Sequence, residues 1–365
     1  MSAGSGGGTG AGAGRGIGIR AADAAAGRLR RAGASDSAPV VVAVDGGGSK
    51  TDAVALTLDG RVVAHRRGPG SSPQLEGLAA SVAVVDELVS AVSARRPVLQ
   101  VDLYLSGLDL PVEIERYRTA IDWLAWASPS TVIDNDLFAL LRAGTDAPDA
   151  IAVVCGTGVN AIGVRADGAS ARFPSLGPIS GDWGGGSGLG EQALWHAARE
   201  VDGRGEPTVL TAAIVERLGA ASLSDLIEDL HFGRRSTAEL SDLAPVVFEA
   251  ARGGDAVAGA LVDRQADEIL AFARACLTRL DLLDRAVPVV LGGGVVRSGD
   301  SRMLGRVAAG LAAIAPGAVL EFFASAPIIG AALLALESGG AGPDALVRAR
   351  DEVAASTGAS VPVGG

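Results

Sequence analysis

Cysteine, histidine, aromatic residues and basic charge are all scarce in this chain, and each scarcity removes a class of function. The two cysteines, Cys155 and Cys276, lie far apart with no CxxC or Cys/His spacing. That excludes a disulfide framework and a zinc site, and it favours a reducing, cytoplasmic compartment. Three histidines, His65, His196 and His231, share no spacing that suggests a triad or a metal centre. Ser106 is not in a GxSxG elbow, so a serine hydrolase has no support. Lysine and arginine number 31 against 42 acids, for a net charge of −11. The first 38 residues hold five arginines against Asp23 and Asp36, which leaves about −14 on the rest and argues against a nucleic-acid partner. No apolar run approaches the roughly 18 residues of a membrane span, and the N-terminus has no apolar signal core. Aromatics make up 4% of the chain while hydrophobic residues reach 48%. The 365 residues therefore have aliphatic core material for two domains.

The chain divides by composition. Residues 1–38, with eleven glycines, are expected to be a disordered Gly/Ala/Arg-rich extension. From Val40 three short strands follow, with Asp59-Gly60 as a hairpin turn, and then helix-like and strand-like segments alternate in the order βββαβαβα. The second half repeats this opening at Ile151–Val164, again as apolar strand, glycine turn and strand, with Asp167-Gly168 marking the next hairpin. Two glycine turns on equivalent strands suggest a duplicated α/β domain with phosphates held between the copies. The expected boundaries are 39–145 and 146–326, then a closing helix at 327–338 that packs back on the first domain, and a C-terminal tail at 339–365.

The turn Asp45-Gly-Gly-Gly-Ser49-Lys50-Thr51 follows a buried valine-rich strand and precedes a second one. Three glycines let the backbone bring its N–H groups to an anion. A P-loop needs glycine directly before its lysine and a helix directly after; Ser49 and the β-rich run Ala53–Leu58 deny both. Gly156-Thr-Gly158-Val-Asn160-Ala161 satisfies a dinucleotide-binding GxGxxA, but that fingerprint opens a helix and Val159–Val164 reads as strand. Asp109 and the acids of Asp134-Asn-Asp136 each follow a strand, where ligands meet the carboxyl end of an α/β sheet. Either acid position could equally be a helix cap. In the first case the alternative is a base that takes a proton from a hydroxyl. The loop Ser180-Gly-Asp182-Trp183-Gly-Gly-Gly-Ser187-Gly188 reads as mobile and functional. Gly292-Gly-Gly294 resembles a third glycine turn, suited to lying under an adenine or ribose.

Taken together with Ser106-Gly-Leu-Asp109 and Ala326-Pro-Ile-Ile-Gly-Ala331, these motifs resemble, in order over residues 40–338, the N-acetylglucosamine kinase branch of the BadF/BadG/BcrA/BcrD-type ATPase family. The resemblance implies two ribonuclease-H-like domains of the actin, sugar kinase and heat-shock chaperone superfamily, closing over ATP. It implies phosphate contacts from Gly47, Gly48, Ser49, Lys50 and Thr51 on one side and from Gly156, Thr157 and Gly158 on the other. Asp45 would orient a hydrated Mg²⁺, and Gly293 and Gly294 would line the adenosine site. Asp109 would be the base for a sugar 6-hydroxyl, with Ser72, Asp136, Asn160 and Asp182 binding the sugar.

Two departures stand out. Where such kinases usually carry an asparagine after the third strand, this chain has Gly70-Ser-Ser72-Pro73; and Trp183 replaces an acid in the loop after Asp182, where it could widen the pocket or offer a stacking face. The implied function is phosphorylation of an amino sugar, foremost N-acetylglucosamine to its 6-phosphate, by a cytoplasmic protein without nucleic-acid or membrane partner; a homodimer is compatible with it. Glucosamine is an alternative substrate. A different alternative is a partner-driving ATPase of the dehydratase or reductase activator type, which would need cluster thiolates.

Overall fold

The computed structural model describes residues 38–358 apart from 324. The expected disordered extension therefore lies outside the described residues but for position 38. The first half contains β1 (Val40–Gly46), β2 (Thr51–Thr57), β3 (Val62–Gly68), α1 (Pro73–Glu76), α2 (Leu78–Ser93), β4 (Val98–Leu105), α3 (Pro111–Ile121), β5 (Val132–Asp134) and α4 (Asp136–Gly144). The second contains β6 (Ala150–Cys155), β7 (Val159–Val164), β8 (Ser170–Arg172), α5 (Gly185–Val201), α6 (Leu210–Leu218), α7 (Leu223–His231), α8 (Ala244–Arg252), α9 (Ala256–Arg279), β9 (Pro288–Gly292), α10 (Gly294–Arg297), α11 (Ser301–Ile314) and β10 (Val319–Phe322). Two last helices, α12 (Pro327–Ser338) and α13 (Pro343–Thr357), complete it.

The duplication read from the two glycine turns is present in the sheets. One runs β3-β2-β1-β4-β5 and the other β8-β7-β6-β9-β10. In each, the first three strands pair antiparallel, the first strand pairs parallel with the fourth, and the fourth pairs parallel with the fifth. β1 explains why a continuous apolar run is needed. Val40, Val42 and Val44 face the core under α2, while Val41 and Ala43 face α12 on the other side. A strand covered on both faces has no polar side to alternate with.

Helix α12 returns to the first sheet, where Ile328, Ile329, Leu333 and Leu336 are buried against β1 and α4. A side chain at Gly330 would lie 1.8 Å from the Ala139 carbonyl oxygen, so the two helices touch backbone to backbone there. The stretch expected to be a tail differs from the reading. Residues 343–357 form α13, which buries Ala345, Ala349, Val353 and Ala354 beside α12 and β3. Its buried stripe is mostly alanine, so its apolar face carries little hydrophobic contrast to read.

Candidate active site

Three parallel strands of the first sheet, β1, β4 and β5, end side by side and deliver acids to one edge. Asp45 is next to last in β1, Asp109 follows β4 through a turn at Gly107 (φ +79°), and Asp134 ends β5. The helix-cap alternative for Asp109 does not hold. Glu113 caps α3 instead, its Oε2 accepting from the amides of Asp109 and Leu110 at 2.9 and 2.8 Å. The Asp109 carboxylate is thereby left for other partners. Asn135 caps α4, with its Oδ1 accepting from the Leu137 amide at 3.0 Å, and its Nδ2 donates to Asp109 Oδ1 at 3.0 Å. From the other sheet, Asn160 Nδ2 on β7 donates to the same oxygen at 2.9 Å. Arg172, at the end of β8, also crosses over, pairing with Asp134 at 2.7 Å and reaching the Leu108 carbonyl at 3.3 Å. Asp109 thus lies where the two sheets meet, in a small cavity walled by Asn135, Asn160, Arg172 and Phe173.

Charge at this edge is unbalanced. Burial, then the carboxylates of Asp136 and Glu113, push Asp109 up to about 7, against the Asn160 hydrogen bond and the Arg172 charge. Burial, then Asp136 and Asp52, push Asp45 up to about 8 against Lys50 and Arg67. Asp136 itself is raised by burial to about 6, against the backbone amides of Asp136 and Leu137. Among the described residues no side chain hydrogen-bonds the Asp45 carboxylate, and no cluster of three or more metal-ligating side chains forms. Two poorly compensated carboxylates, Asp45 and Asp136, fit a hard cation that keeps most of its water and takes its remaining ligands from phosphate.

The two glycine turns occupy equivalent places, between the first and second strands of each sheet. The Gly47 amide bonds to the Lys50 carbonyl at 2.9 Å, leaving the exposed Gly48 and Ser49 amides without an acceptor; the Gly156 amide bonds to the Gly158 carbonyl at 2.9 Å, leaving those of Thr157 and Gly158. Free amides on an exposed glycine turn suit anionic oxygens. Beside the second turn is a cavity of about 620 Å³, walled by Gly156, Thr157, Gly293, Gly294, Phe248 and Arg297. That volume suits a nucleotide-sized ligand. Gly293 has φ +97°, and a side chain there would lie 2.2 Å from the Cys155 carbonyl oxygen, so only glycine lets α10 start against the end of β6.

Several expected site residues are placed differently. Thr51 is fully buried, and its hydroxyl donates to the Pro69 carbonyl and contacts Ser71 Oγ, both at 2.7 Å; it braces the turn and offers nothing to a phosphate. Lys50 pairs with the buried Asp52 at 3.1 Å, alongside His65 at 3.0 Å and Arg67 at 2.8 Å. Burial pushes Asp52 up, but the hydrogen bonds of His65, Arg67 and Lys50 outweigh it and hold this acid well below the carboxylate range. Ser72 is buried at the N-cap of α1. Asp182 does not reach Asp109: its carboxylate accepts a hydrogen bond from Ser180, and it adds to the burial that raises Glu268. One face of the Trp183 ring is covered by the Arg264 guanidinium, 3.9 Å above it, and the ring packs partly buried against the second lobe's core.

The loop expected to be mobile is close-packed. Its glycines open α5, whose Gly186 and Ser187 amides bond to the Gly156 and Thr157 carbonyls at 2.8 and 2.9 Å. Sequence reasoning missed Gln74, Glu113, Asn135 and Arg172 at the acid site, and Phe248 and Arg297 at the cavity. Asn135 lies within the Asp134-Asn-Asp136 motif, of which only the acids drew attention; Gln74, Glu113 and Arg172 stand in none.

A duplicated-sheet fold with paired glycine turns, a nucleotide-sized cavity beside one of them and a buried acid at the junction defines a two-lobed phosphate-handling enzyme. The chain belongs to the BadF/BadG/BcrA/BcrD ATPase family, which matches residues 42–335. It is 27% identical to an N-acetyl-D-glucosamine kinase of Dictyostelium discoideum, over 83% of this chain and 99% of that protein. It is also 27% identical to an N-acetylmuramic acid/N-acetylglucosamine kinase of Clostridium acetobutylicum, over 71% and 86%. Among solved structures, a Chromobacterium violaceum protein provisionally named an N-acetylglucosamine kinase superposes with a TM-score of 0.62 at 26% identity, over 82% of this chain and 99% of that one. A Porphyromonas gingivalis structure at 20% identity, with a TM-score of 0.56 over 82% and 98%, shares the fold.

Proposed function

We propose that this chain is an ATP-dependent kinase that phosphorylates the 6-hydroxyl of an amino sugar, N-acetylglucosamine ahead of glucosamine. The observation that carries the reading is the Asn160–Asp109 hydrogen bond at 2.9 Å. It joins a carboxyl poised near neutral pH to the start of β7, directly after the glycine turn Gly156–Gly158, whose first residues wall the nucleotide cavity. A phosphoryl donor at that turn and an acceptor hydroxyl at the strand it feeds are placed for transfer.

In this reading Asp109 accepts the proton of the sugar hydroxyl as its oxygen attacks the γ-phosphorus and ADP departs. Asn135 and Asn160 hold the carboxylate in orientation. The amides of Gly48, Ser49, Thr157 and Gly158 face the phosphates, and Gly293 and Gly294 lie under the adenosine. Asp45 and Asp136 are the residues that would hold a magnesium ion, which when bound neutralises charge on the transferred phosphate. Positioning and charge neutralisation carry most of such a reaction. The names of both curated relatives support the sugar. The partner-driving alternative loses ground, since Cys155 and Cys276 are buried on different elements and burial pushes both thiols up to about 12.

The test is Asp109→Asn. With N-acetylglucosamine and ATP, kcat/KM is expected to fall about 100- to 10,000-fold, the range for loss of a general base. Turnover of the variant at the parent's rate would remove Asp109 from the chemistry.

A further inference from the structure

The two oxygens of Asp109 are not equivalent. Oδ1 accepts from two amides at ordinary hydrogen-bond lengths, Asn160 at 2.9 Å and Asn135 at 3.0 Å. Among the described residues Oδ2 has a single and much longer contact, Gln74 Nε2 at 3.4 Å. That same nitrogen lies 3.3 Å from Glu113 Oε1, whose other oxygen is committed to the α3 cap. Gln74 sits on the one-turn helix α1, is exposed, and so can move without disturbing the core.

Resting on the kinase reading above, we propose that Asp109 Oδ2 is the oxygen that takes the sugar proton, and that Gln74 is a specificity-determining residue at that oxygen. An oxygen already holding two good donors has little capacity for a third, whereas a 3.4 Å contact yields readily to a hydroxyl. When the sugar enters, its 6-hydroxyl replaces Gln74 on Oδ2. The Gln74 amide stays beside the sugar, its nitrogen on Glu113 and its Oε1 open to a sugar hydroxyl or acetamide N–H. The proton passes from that hydroxyl to Oδ2, the oxygen forms its bond to the γ-phosphorus, and the bond to ADP breaks.

The test compares Gln74→Leu and Gln74→Glu in the full chain, with N-acetylglucosamine and ATP varied separately. Gln74→Leu should raise the sugar KM about tenfold, the worth of one good hydrogen bond, and leave the ATP KM within about twofold. Gln74→Glu sets a third carboxylate against Asp109 and Glu113, with Asp136 close by and the Arg172 charge opposing. It should lower kcat/KM further and move the acidic limb of its pH profile upward. A merely structural residue would move neither the sugar KM selectively nor that limb. If both variants keep the parent's sugar KM and acidic limb while Asp109→Asn is inactive, the role of Gln74 is overturned and the base stands. If Asp109→Asn turns over normally, the kinase reading itself fails.

Discussion

The turn after β1 and the turn after β6 sit at the same place in two copies of one sheet, yet they carry opposite chemistry. The first is framed by Asp45, Lys50 and Asp52, and an ion network around Asp52 braces it. The second is framed by Cys155 and Asn160 and holds no charge. The acids of the site, Asp45, Asp109, Asp134 and Asp136, all come from the first lobe, whereas the second supplies the glycine floor, the cavity, one amide and one guanidinium. In the kinase reading proposed above, duplication provides two phosphate-facing turns, and divergence assigns proton and metal handling to one lobe and nucleotide grip to the other. The lobes meet at Asn160 with Asp109 and at Arg172 with Asp134.

That division can be broken from the first lobe. Asp45→Asn should raise the magnesium concentration for half-maximal rate by about 10- to 100-fold. The same variant should be the more stable apoprotein in mild alkali. Asp45 is raised from 3.8 to about 8 in the fold, so the folded state holds a proton that the unfolded chain has lost. Stability is therefore surrendered as pH rises from about 4 through about 8, and asparagine removes that loss. Thermal melts at both ends of the range check the sign.

From the second lobe the effect should be smaller. Asn160→Ala removes a donor that favours ionised Asp109 and should cut kcat/KM about tenfold. Without it the acidic limb of activity, set near 7 by Asp109, should move to higher pH. A pH–rate profile of the variant against the parent reads this directly. An unchanged limb would mean that the two lobes do not meet electrostatically at the base.

Much of this arrangement was legible in the chain, for reasons that differ by element. Val40–Val44 and Ile151–Cys155 announce doubly covered strands through unbroken apolar runs, and a glycine turn after each marks the duplication. Asp109 was visible because an acid just past a strand has few purposes. Gln74, 35 positions before it, was not, because nothing local separates a glutamine beside this carboxylate from one in solvent. Asn135 reads as a plain helix cap and performs that task too, which hides its second bond. Asp182 and Trp183 misled for the opposite reason. Glycine around an acid suggests mobility, whereas here Gly185 is needed because a side chain would strike the Thr157 carbonyl at 2.4 Å.

The most direct test of the account is ADP release from the purified chain with ATP and magnesium, measured without sugar and then with N-acetylglucosamine, glucosamine and N-acetylmuramic acid in turn. The account predicts little release without sugar and strong stimulation by N-acetylglucosamine, with the product carrying phosphate on its 6-oxygen. Release that proceeds equally without any sugar would contradict it.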